Sequence, residues 1–192
     1  MLNVNQLTGF GASAAAYTTW NPSDKSSAIT LSAGNLVVTH AAVDSVASVR
    51  STVGKSSGKW YWEVTMTALG GNNNSLIGVM RSSTPVTSYP GADTAGYSYY
   101  GLGGTKYYNA VSTTYGATYT VGDVIGVALD MDAGTLTFYK NNVSQGVAFT
   151  WLSGTYYAAH GCYYSNEAIS ANFGASALTY SPPAGFNAGL YI

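Results

Sequence analysis

The feature that most constrains the fold is a strict two-residue alternation of bulky apolar and amphipathic side chains. In residues 60–67, Trp60, Trp62, Val64 and Met66 alternate with Tyr61, Glu63, Thr65 and Thr67. Successive side chains of a strand point to opposite faces, so this pattern predicts a β-strand with one apolar face. Five further segments have the composition of strands, namely 76–80, 124–131, 135–140, 156–164 and 168–173. Because Gly, Asn, Asp and Pro separate them, the sequence predicts an all-β antiparallel sandwich or barrel.

The inner faces of this predicted sandwich follow from the same alternation. We expect the buried core to include Trp60, Trp62, Val64, Ile125, Val127, Leu129, Leu136, Phe138 and Phe173. A chain of 192 residues has the length of one domain. It shows no internal repeat and no linker, so a single domain is predicted.

Composition excludes several classes of partner. Only 8% of the residues are charged and the net charge is −1, whereas about 25% is usual in soluble domains. No basic stripe is present to bind a phosphate backbone, so nucleic-acid binding is not expected. Electrostatic anchoring on a membrane is not expected either. The apolar stretches are also too short to span a bilayer.

No metal or other cofactor is predicted. One cysteine and two histidines rule out a zinc cage built from several Cys and His ligands. The motif DMDAGT, at residues 130–135, has Gly134 where a calcium loop needs an oxygen ligand, and no glutamate follows at its twelfth position. It is predicted to be a hairpin turn, and GLGG at residues 101–104 is also predicted to be a turn.

Catalysis is the weakest of the functional hypotheses. His160 and Cys162 are two residues apart on a predicted strand, so both side chains lie on one face. Such a pair can in principle activate a thiolate, but a half-buried histidine beside a core cysteine is the commoner arrangement. Glu63, Glu167 and the six aspartates do not form a recognisable acid–base pair. We therefore expect a protein that is not an enzyme, and keep a hydrolase of surface glycans as a remote alternative.

The segment from Ser82 to Thr118 is rich in tyrosine, glycine, serine and asparagine. Tyrosine offers a large amphipathic contact area at low entropic cost, and loops specialised for binding use these residues for that reason. The alternative is that the tyrosines only pack on a sheet. We predict a contact site at Tyr99, Tyr107, Tyr108 and Asn109, with His160 nearby across the end of the sandwich.

Four motifs resemble the SPRY domain family, and together they cover about residues 19–191. They are GKWYWEV (58–64), IGV (77–79), GDVIGVALDMDAGTLTFYKNNVSQGVAF (122–149) and ISANFG (169–174). The resemblance implies a bent sandwich of two antiparallel sheets. It also implies that the domain has no catalytic site and that loops at one end of the sandwich hold the partners.

The resemblance also suggests site residues. SPRY domains that hold short peptides use a tyrosine on the strand after the middle excursion, which corresponds here to Tyr107 or Tyr108 in KYYNA. They also use a glycine-bearing strand near the C-terminus, which corresponds here to His160 and Gly161 in AAHGCYY. The tryptophan and basic residues common around those positions are replaced by tyrosine and histidine, so the peptide specificity is expected to differ.

Composition and the opening NQLTGFGA are similar to SPRY domains in bacteriophage structural proteins. This similarity implies a virion protein: a tail-fibre, receptor-binding or head-decoration component that serves host attachment. Its expected partners are other virion proteins and a host surface glycan, and it is expected to form a homo-oligomer in the particle. The alternative is a free-standing cytoplasmic SPRY module for protein–protein interaction that recognises a short peptide.

The first 18 residues are expected to form an assembly arm, followed by the sandwich domain at residues 19–192. No lysine or arginine precedes Lys25, and polar residues interrupt the apolar run, so a secretory signal is not expected. Residues 1–16 also carry no charged side chain, so ordering this segment would require apolar contact with something else. We expect deletion of the arm to leave the fold intact but to weaken assembly.

Overall fold

The computed structural model describes residues 16–41, 44–72 and 74–192. In this part of the chain the ordered elements are strands and short bridges. The strands are β1 (Trp20–Lys25), β2 (Ile29–Ser32), β3 (Val37–His40), β4 (Ala47–Lys55), β5 (Lys59–Leu69), β6 (Leu76–Met80), β7 (Gly96–Tyr100), β8 (Thr105–Tyr108), β9 (Val111–Thr114), β10 (Val124–Asp130), β11 (Thr135–Lys140), β12 (Val143–Phe149), β13 (Tyr156–Cys162), β14 (Glu167–Asn172) and β15 (Asn187–Ala188).

These strands form two sheets. The first sheet has the order β1-β4-β13-β6-β7-β8-β9, and the second has the order β12-β11-β10-β5-β14-β3-β2. All neighbours in both orders pair antiparallel, and the short strand β15 adds a parallel pairing to β5. The predicted single-domain antiparallel sandwich is confirmed.

The core lies between the sheets, where the alternating apolar residues meet. The inner face of β5 contributes Trp62, Val64 and Met66, each exposing at most 1% of its surface. The predicted core residues are buried except Trp60. Trp60 is half-buried because it lies near the end of β5, where the Lys55 ammonium lies 3.6 Å from its ring centre.

The opposite face of β5 is also covered. Tyr61 and Glu63 are buried there, because the Tyr61 ring packs edge-on against Tyr139 and residues 179–180 lie against Glu63. The backbone N–H groups of Thr179 and Tyr180 donate to the two Glu63 carboxylate oxygens at 2.7 and 2.8 Å. This strand is therefore packed on both faces, although only one of them has an apolar sequence pattern.

Two tight turns form as their sequences predict. At DMDAGT, the Asp130 carboxylate accepts hydrogen bonds from the backbone N–H groups of Asp132 and Ala133, and Gly134 has a φ of 65°. Asn141 and Asn142 take φ values of 46° and 68° between β11 and β12. Among the described residues, no cluster of His, Cys, Asp and Glu side chains is arranged to hold a metal ion. The same residues contain no helix suited to crossing a membrane.

Most of the expected N-terminal arm, residues 1–15, lies outside the described residues. Tyr17 forms an isolated antiparallel bridge with Tyr191, and the N–H of Thr18 donates to the carbonyl of Leu190 at 2.9 Å. The end of the expected arm is thus joined to the C-terminal segment. The role of the arm in assembly stays a prediction.

A polar pair is enclosed between the sheets. Nε2 of His160, on β13, lies 3.7 Å from Oε1 of Glu167, on β14, and both side chains are buried. Burial, with His40 nearby, lowers the pKa of His160 from 6.5 to about 3. Burial also raises the pKa of Glu167 from 4.5 to about 8. At neutral pH the pair is therefore predominantly uncharged.

These pKa shifts predict that the free energy of unfolding is highest at mildly acidic pH. Unfolded His160 binds a proton below its ordinary pKa of 6.5 and the native residue does not, so stability falls as the pH drops from 6.5 toward 3. Native Glu167 keeps its proton up to a pKa of about 8, so stability also falls as the pH rises from 4.5 toward 8. Denaturant unfolding followed by tryptophan fluorescence should show a maximum between pH 4.5 and 6.5.

Glu167→Gln is the matched control for this profile, because it keeps the shape and removes the titration. It should remove most of the loss of stability above pH 6.5 and keep the loss on the acid side. Burial raises the pKa of Cys162 and of Tyr119, so these neighbours do not account for the loss of stability between pH 6.5 and 8. An alkaline decline of equal size in wild type and Glu167→Gln would contradict the assignment.

The core predicts a second, larger effect at Phe138. Its side chain on β11 is fully buried against Tyr99 and Tyr115. Phe138→Ala should lower the free energy of unfolding by about 3–5 kcal/mol, through lost burial and the cavity left behind. Val143→Ala, at a side chain 63% exposed, should lower it by less than about 1 kcal/mol. Similar losses for the two variants would contradict the placement of Phe138 in the core.

Candidate functional site

The predicted site residues include members of three pairs of consecutive residues on the first sheet. In each pair one side chain faces the interior and the other residue is on the outer face. The first pair is Tyr99 and Tyr100 on β7. Tyr99 points inward, is fully buried, and has its ring centre 5.0 Å from that of Tyr119 and 5.4 Å from that of Phe138. Tyr100 is on the opposite face and is half-buried. Tyr99 is therefore a core residue that presents no surface to a partner.

The second pair is Tyr107 and Tyr108 on β8. Tyr108 packs inward, stacked on Tyr97 with ring centres 4.9 Å apart and planes within 6°. Part of its ring still reaches solvent at the sheet edge. Tyr107 is on the outer face, where its ring meets that of Tyr100 edge-on at 5.7 Å. The two neighbouring tyrosines thus serve different surfaces.

The third pair is His160 and Gly161 on β13. His160 points between the sheets and is fully buried beside Glu167, so it presents no surface to a partner. Gly161 is on the outer face, beneath the loop that joins β6 to β7. A Cβ atom at this position would lie only 2.7 Å from Cδ of Pro90 and 3.2 Å from Cβ of Tyr89. The absent side chain lets this loop lie directly on the sheet.

The β6–β7 loop, residues 81–95, is fixed by hydrogen bonds to its surroundings. The Arg50 guanidinium donates to the carbonyl of Thr84 at 2.6 Å and is held by the carboxylate of Asp24. The Ser98 hydroxyl donates to the carbonyl of Pro90 at 2.5 Å. The N–H of Ala110 donates to the carbonyl of Gly91 at 2.8 Å. The loop is therefore tied to β4, β7 and the β8–β9 turn.

Beside this loop the outer face holds a pocket of about 320 Å³, which we call the tyrosine pocket. Its lining comprises Val46, Asn74, Leu76, Tyr89, Tyr100, Tyr107, Cys162 and Tyr163. The ring of Tyr107 meets that of Tyr89 at 5.9 Å and 88° and that of Tyr100 at 5.7 Å and 88°. Tyr107 thus stands edge-on to two other rings along the wall of a concave surface whose lining contains no Asp, Glu, Lys or Arg.

Two other clefts are lined mainly by loops. One, of about 480 Å³, is formed by residues 174–182 with Tyr17 and Ala188. The other, of about 350 Å³, lies between residues 69–72, residues 101–102 and residues 118–120. Neither contains a residue of the predicted contact site. The tyrosine pocket contains Tyr107 and lies beside Gly161.

Three residues that line the tyrosine pocket have pKa values shifted toward the uncharged form. Burial raises the pKa of Tyr89 and of Tyr100, and the neighbouring Tyr107 adds to both shifts. Burial also raises the pKa of the Cys162 thiol. Burial lowers the pKa of the His160 imidazole as well, so both shifts disfavour the thiolate–imidazolium pair that the His160–Cys162 spacing allows.

The predicted site is therefore divided between the interior and the surface. Asn109, with a φ of 52°, lies at the exposed turn between β8 and β9, and its N–H donates to the carbonyl of Asp93 in the β6–β7 loop. Tyr107, Tyr108 and Asn109 are at least partly exposed to solvent. Gly161 lies beneath the β6–β7 loop. Sequence reasoning missed Tyr89, Tyr100 and Tyr163. The alternation around Tyr99 was a signal that could have identified Tyr100.

Known proteins with related sequences share this domain. A SPRY domain family model matches residues 59–176. The chain is 35% identical over 162 residues to a Ran-binding proteins 9/10 homolog of Drosophila melanogaster, covering 81% of this chain. It is 34% identical over 168 residues to Ran-binding protein 9 of Xenopus tropicalis, covering 84%. The chain spans 17% and 31% of the length of these two relatives, respectively.

Solved structures show the same fold. The SPRY domain of human HERC1 superposes with a TM-score of 0.71 at 23% identity, over 79% of this chain and 96% of that one. The TRIM65 PSpry domain superposes with a TM-score of 0.68 at 18% identity, over 81% and 92% of the two chains. At these identities the likeness concerns the fold.

These relatives correct the expected biological setting. They are animal Ran-binding proteins, so the expectation of a virion protein, with virion and host-glycan partners and a location in a phage particle, is wrong. The error arose because low charge and abundant Ser, Thr, Asn and Tyr indicate only which residues cover the surface of the β-sandwich. They do not indicate which larger assembly the domain belongs to. The family model spans more than half of the chain. The chain belongs to the SPRY domain family.

Proposed function

We propose that this domain is a non-catalytic protein-interaction module that holds a short segment of a partner protein in the tyrosine pocket. The observation that carries the proposal is the cluster of partly exposed, perpendicular rings of Tyr89, Tyr100 and Tyr107 on an uncharged concave face. Tyrosine is enriched where protein interfaces concentrate their binding energy. The pocket is at the small end of the range for ligand sites, so it suits one or two side chains of an extended segment.

The anchoring of the β6–β7 loop supports this proposal. A loop held by the Arg50 guanidinium and by the Ser98 hydroxyl loses little conformational entropy when a partner binds. Asn109 and the exposed part of Tyr108 lie at the end of the β8–β9 hairpin. In this proposal they extend the contact surface beyond the pocket.

The non-catalytic part of the proposal rests on the state of the buried groups. The side chains of His160 and Cys162 are both buried, and burial lowers the pKa of His160 to about 3 and raises that of Cys162, which borders the tyrosine pocket. These shifts favour a neutral thiol, which is a weak nucleophile, and a neutral imidazole of low basicity. The relatives are named for Ran binding. Because the chain spans only a part of each of them, Ran is not assigned here as its partner.

Tyr107→Ala tests the site. A displayed library of random twelve-residue peptides is selected on the wild-type chain, and the enriched peptides are measured by fluorescence anisotropy. Removing a ring that lines the pocket should weaken their binding about 30-fold, equivalent to about 2 kcal/mol. Because few ions take part, the affinities should change little between low and physiological salt.

Tyr139→Ala is the matched control, since it removes a half-buried tyrosine from the outer face of the other sheet. It should leave peptide binding unchanged. Denaturant unfolding of both variants would show that each remains folded. Equal affinity of wild type and Tyr107→Ala, or a failure of the wild-type chain to enrich any peptide, would contradict the proposed function.

A further inference from the structure

The tyrosine pocket brings three aromatic rings together at one concave site. The ring planes of Tyr89 and Tyr100 each stand at 88° to that of Tyr107, and all three residues line the same pocket. The face of an aromatic ring is electronegative, and several faces around one space attract a positive charge. All three rings are only partly buried.

Elsewhere in the described chain, cationic side chains already lie over aromatic rings. The Lys55 ammonium lies over Trp60, the Arg81 guanidinium over Tyr156 at 4.9 Å, and the Lys106 ammonium over Phe149 at 5.1 Å. Among the described residues, no cation of the chain itself lies over Tyr89, Tyr100 or Tyr107. No cation of the described chain therefore competes for these three rings, which are partly exposed in the pocket.

The charges around the pocket favour the same class of ligand. No lysine or arginine lines it. Asp44 precedes the lining residue Val46 by two positions, is exposed, and accepts a hydrogen bond from the N–H of Ser165, next to the pocket residues 162–163. This carboxylate adds negative potential beside the pocket wall formed by Val46 and Tyr163.

We propose that the tyrosine pocket binds a weakly hydrated cationic side chain of the partner, arginine or methylated lysine. This inference rests on the proposed function and specifies its ligand. A bare lysine ammonium is strongly hydrated, and the pocket lining offers it no carboxylate. A guanidinium or a methylated ammonium loses less hydration and gains more from ring faces.

The probes are single residues that differ in the cation. N-acetyl amides of trimethyl-lysine, arginine and lysine are titrated into the full chain, with the neutral analogue of trimethyl-lysine that carries a 5,5-dimethylhexyl side chain as the isosteric control. Binding is followed by NMR shifts of the tyrosine ring protons. We expect trimethyl-lysine or arginine to bind about three- to thirtyfold more tightly than the neutral isostere, and unmodified lysine to bind more weakly. Whichever of the two binds more tightly identifies the source of the cation.

Two substitutions at one position separate the ring face from the hydroxyl. Tyr107→Phe keeps the aromatic face and should keep the preference for the cation, whereas Tyr107→Leu should abolish it. Tyr139→Leu, on the other sheet, is the control for a general effect of removing a tyrosine. Equal binding of the cation and its neutral isostere, no detectable binding of either cation, or an unchanged preference in a folded Tyr107→Leu variant would overturn the proposal.

The experiments distinguish failure of the cation proposal from failure of the proposed function. If selected peptides need Tyr107 but carry no cation, and the isostere binds as well as the cation, the pocket is a peptide site that does not select for charge. If no peptide is enriched while the cationic amides bind with Tyr107 dependence, the cation site stands and the peptide function does not.

Discussion

The constraint on which the rest of the molecule depends is that consecutive residues of a strand face opposite sides of the sheet. In the first sheet this rule assigns Tyr99, Tyr108 and His160 to the interior, and their neighbours Tyr100, Tyr107 and Gly161 to the outer face. The same strands thus build the core with one set of residues and the tyrosine pocket with the other. A one-residue slip of β7 or β8 would exchange the two sets and remove both the core contacts and the pocket.

The tyrosine pocket forms on the outer face because two segments that are far apart in the sequence contact each other. Gly161 and Pro90 are 71 positions apart in the sequence. The ring of Pro90 nevertheless occupies the space that a side chain at position 161 would need. Most of the fold was predictable from local sequence patterns. Strands β5 and β11 alternate apolar and polar residues, and β10 is a nearly continuous apolar run. The position of the β6–β7 loop was not predictable in this way, because it is set by contacts between distant segments. One of these is the hydrogen bond from Arg50, which is paired with Asp24, to the carbonyl of Thr84.

The same distinction explains which site residues sequence reasoning found. Tyr107 and Gly161 were identified because the SPRY resemblance aligns their strands, and both lie at or beside the pocket. The same resemblance pairs His160 with Gly161, and the tyrosine-rich composition of residues 82–118 points to Tyr99, but neither observation indicates which face of the sheet a residue occupies. Tyr89 and Tyr163 were missed because they reach the pocket from loops. The setting in a virion was wrong because composition carries less information about the partner than the site does.

The scarcity of charge gives the tyrosines their chemical importance. The chain has seven cationic side chains in 192 residues, and three of them rest on Trp60, Tyr156 or Phe149. The tyrosine rings and the exposed Asp44 carboxylate therefore determine which charge the pocket favours. A partner that approached with a carboxylate would meet neutral phenols and Asp44, and would lose hydration without a compensating charge. A partner with an exposed guanidinium or methylated ammonium would find ring faces already held at right angles, so that little of the binding energy is spent on arranging them.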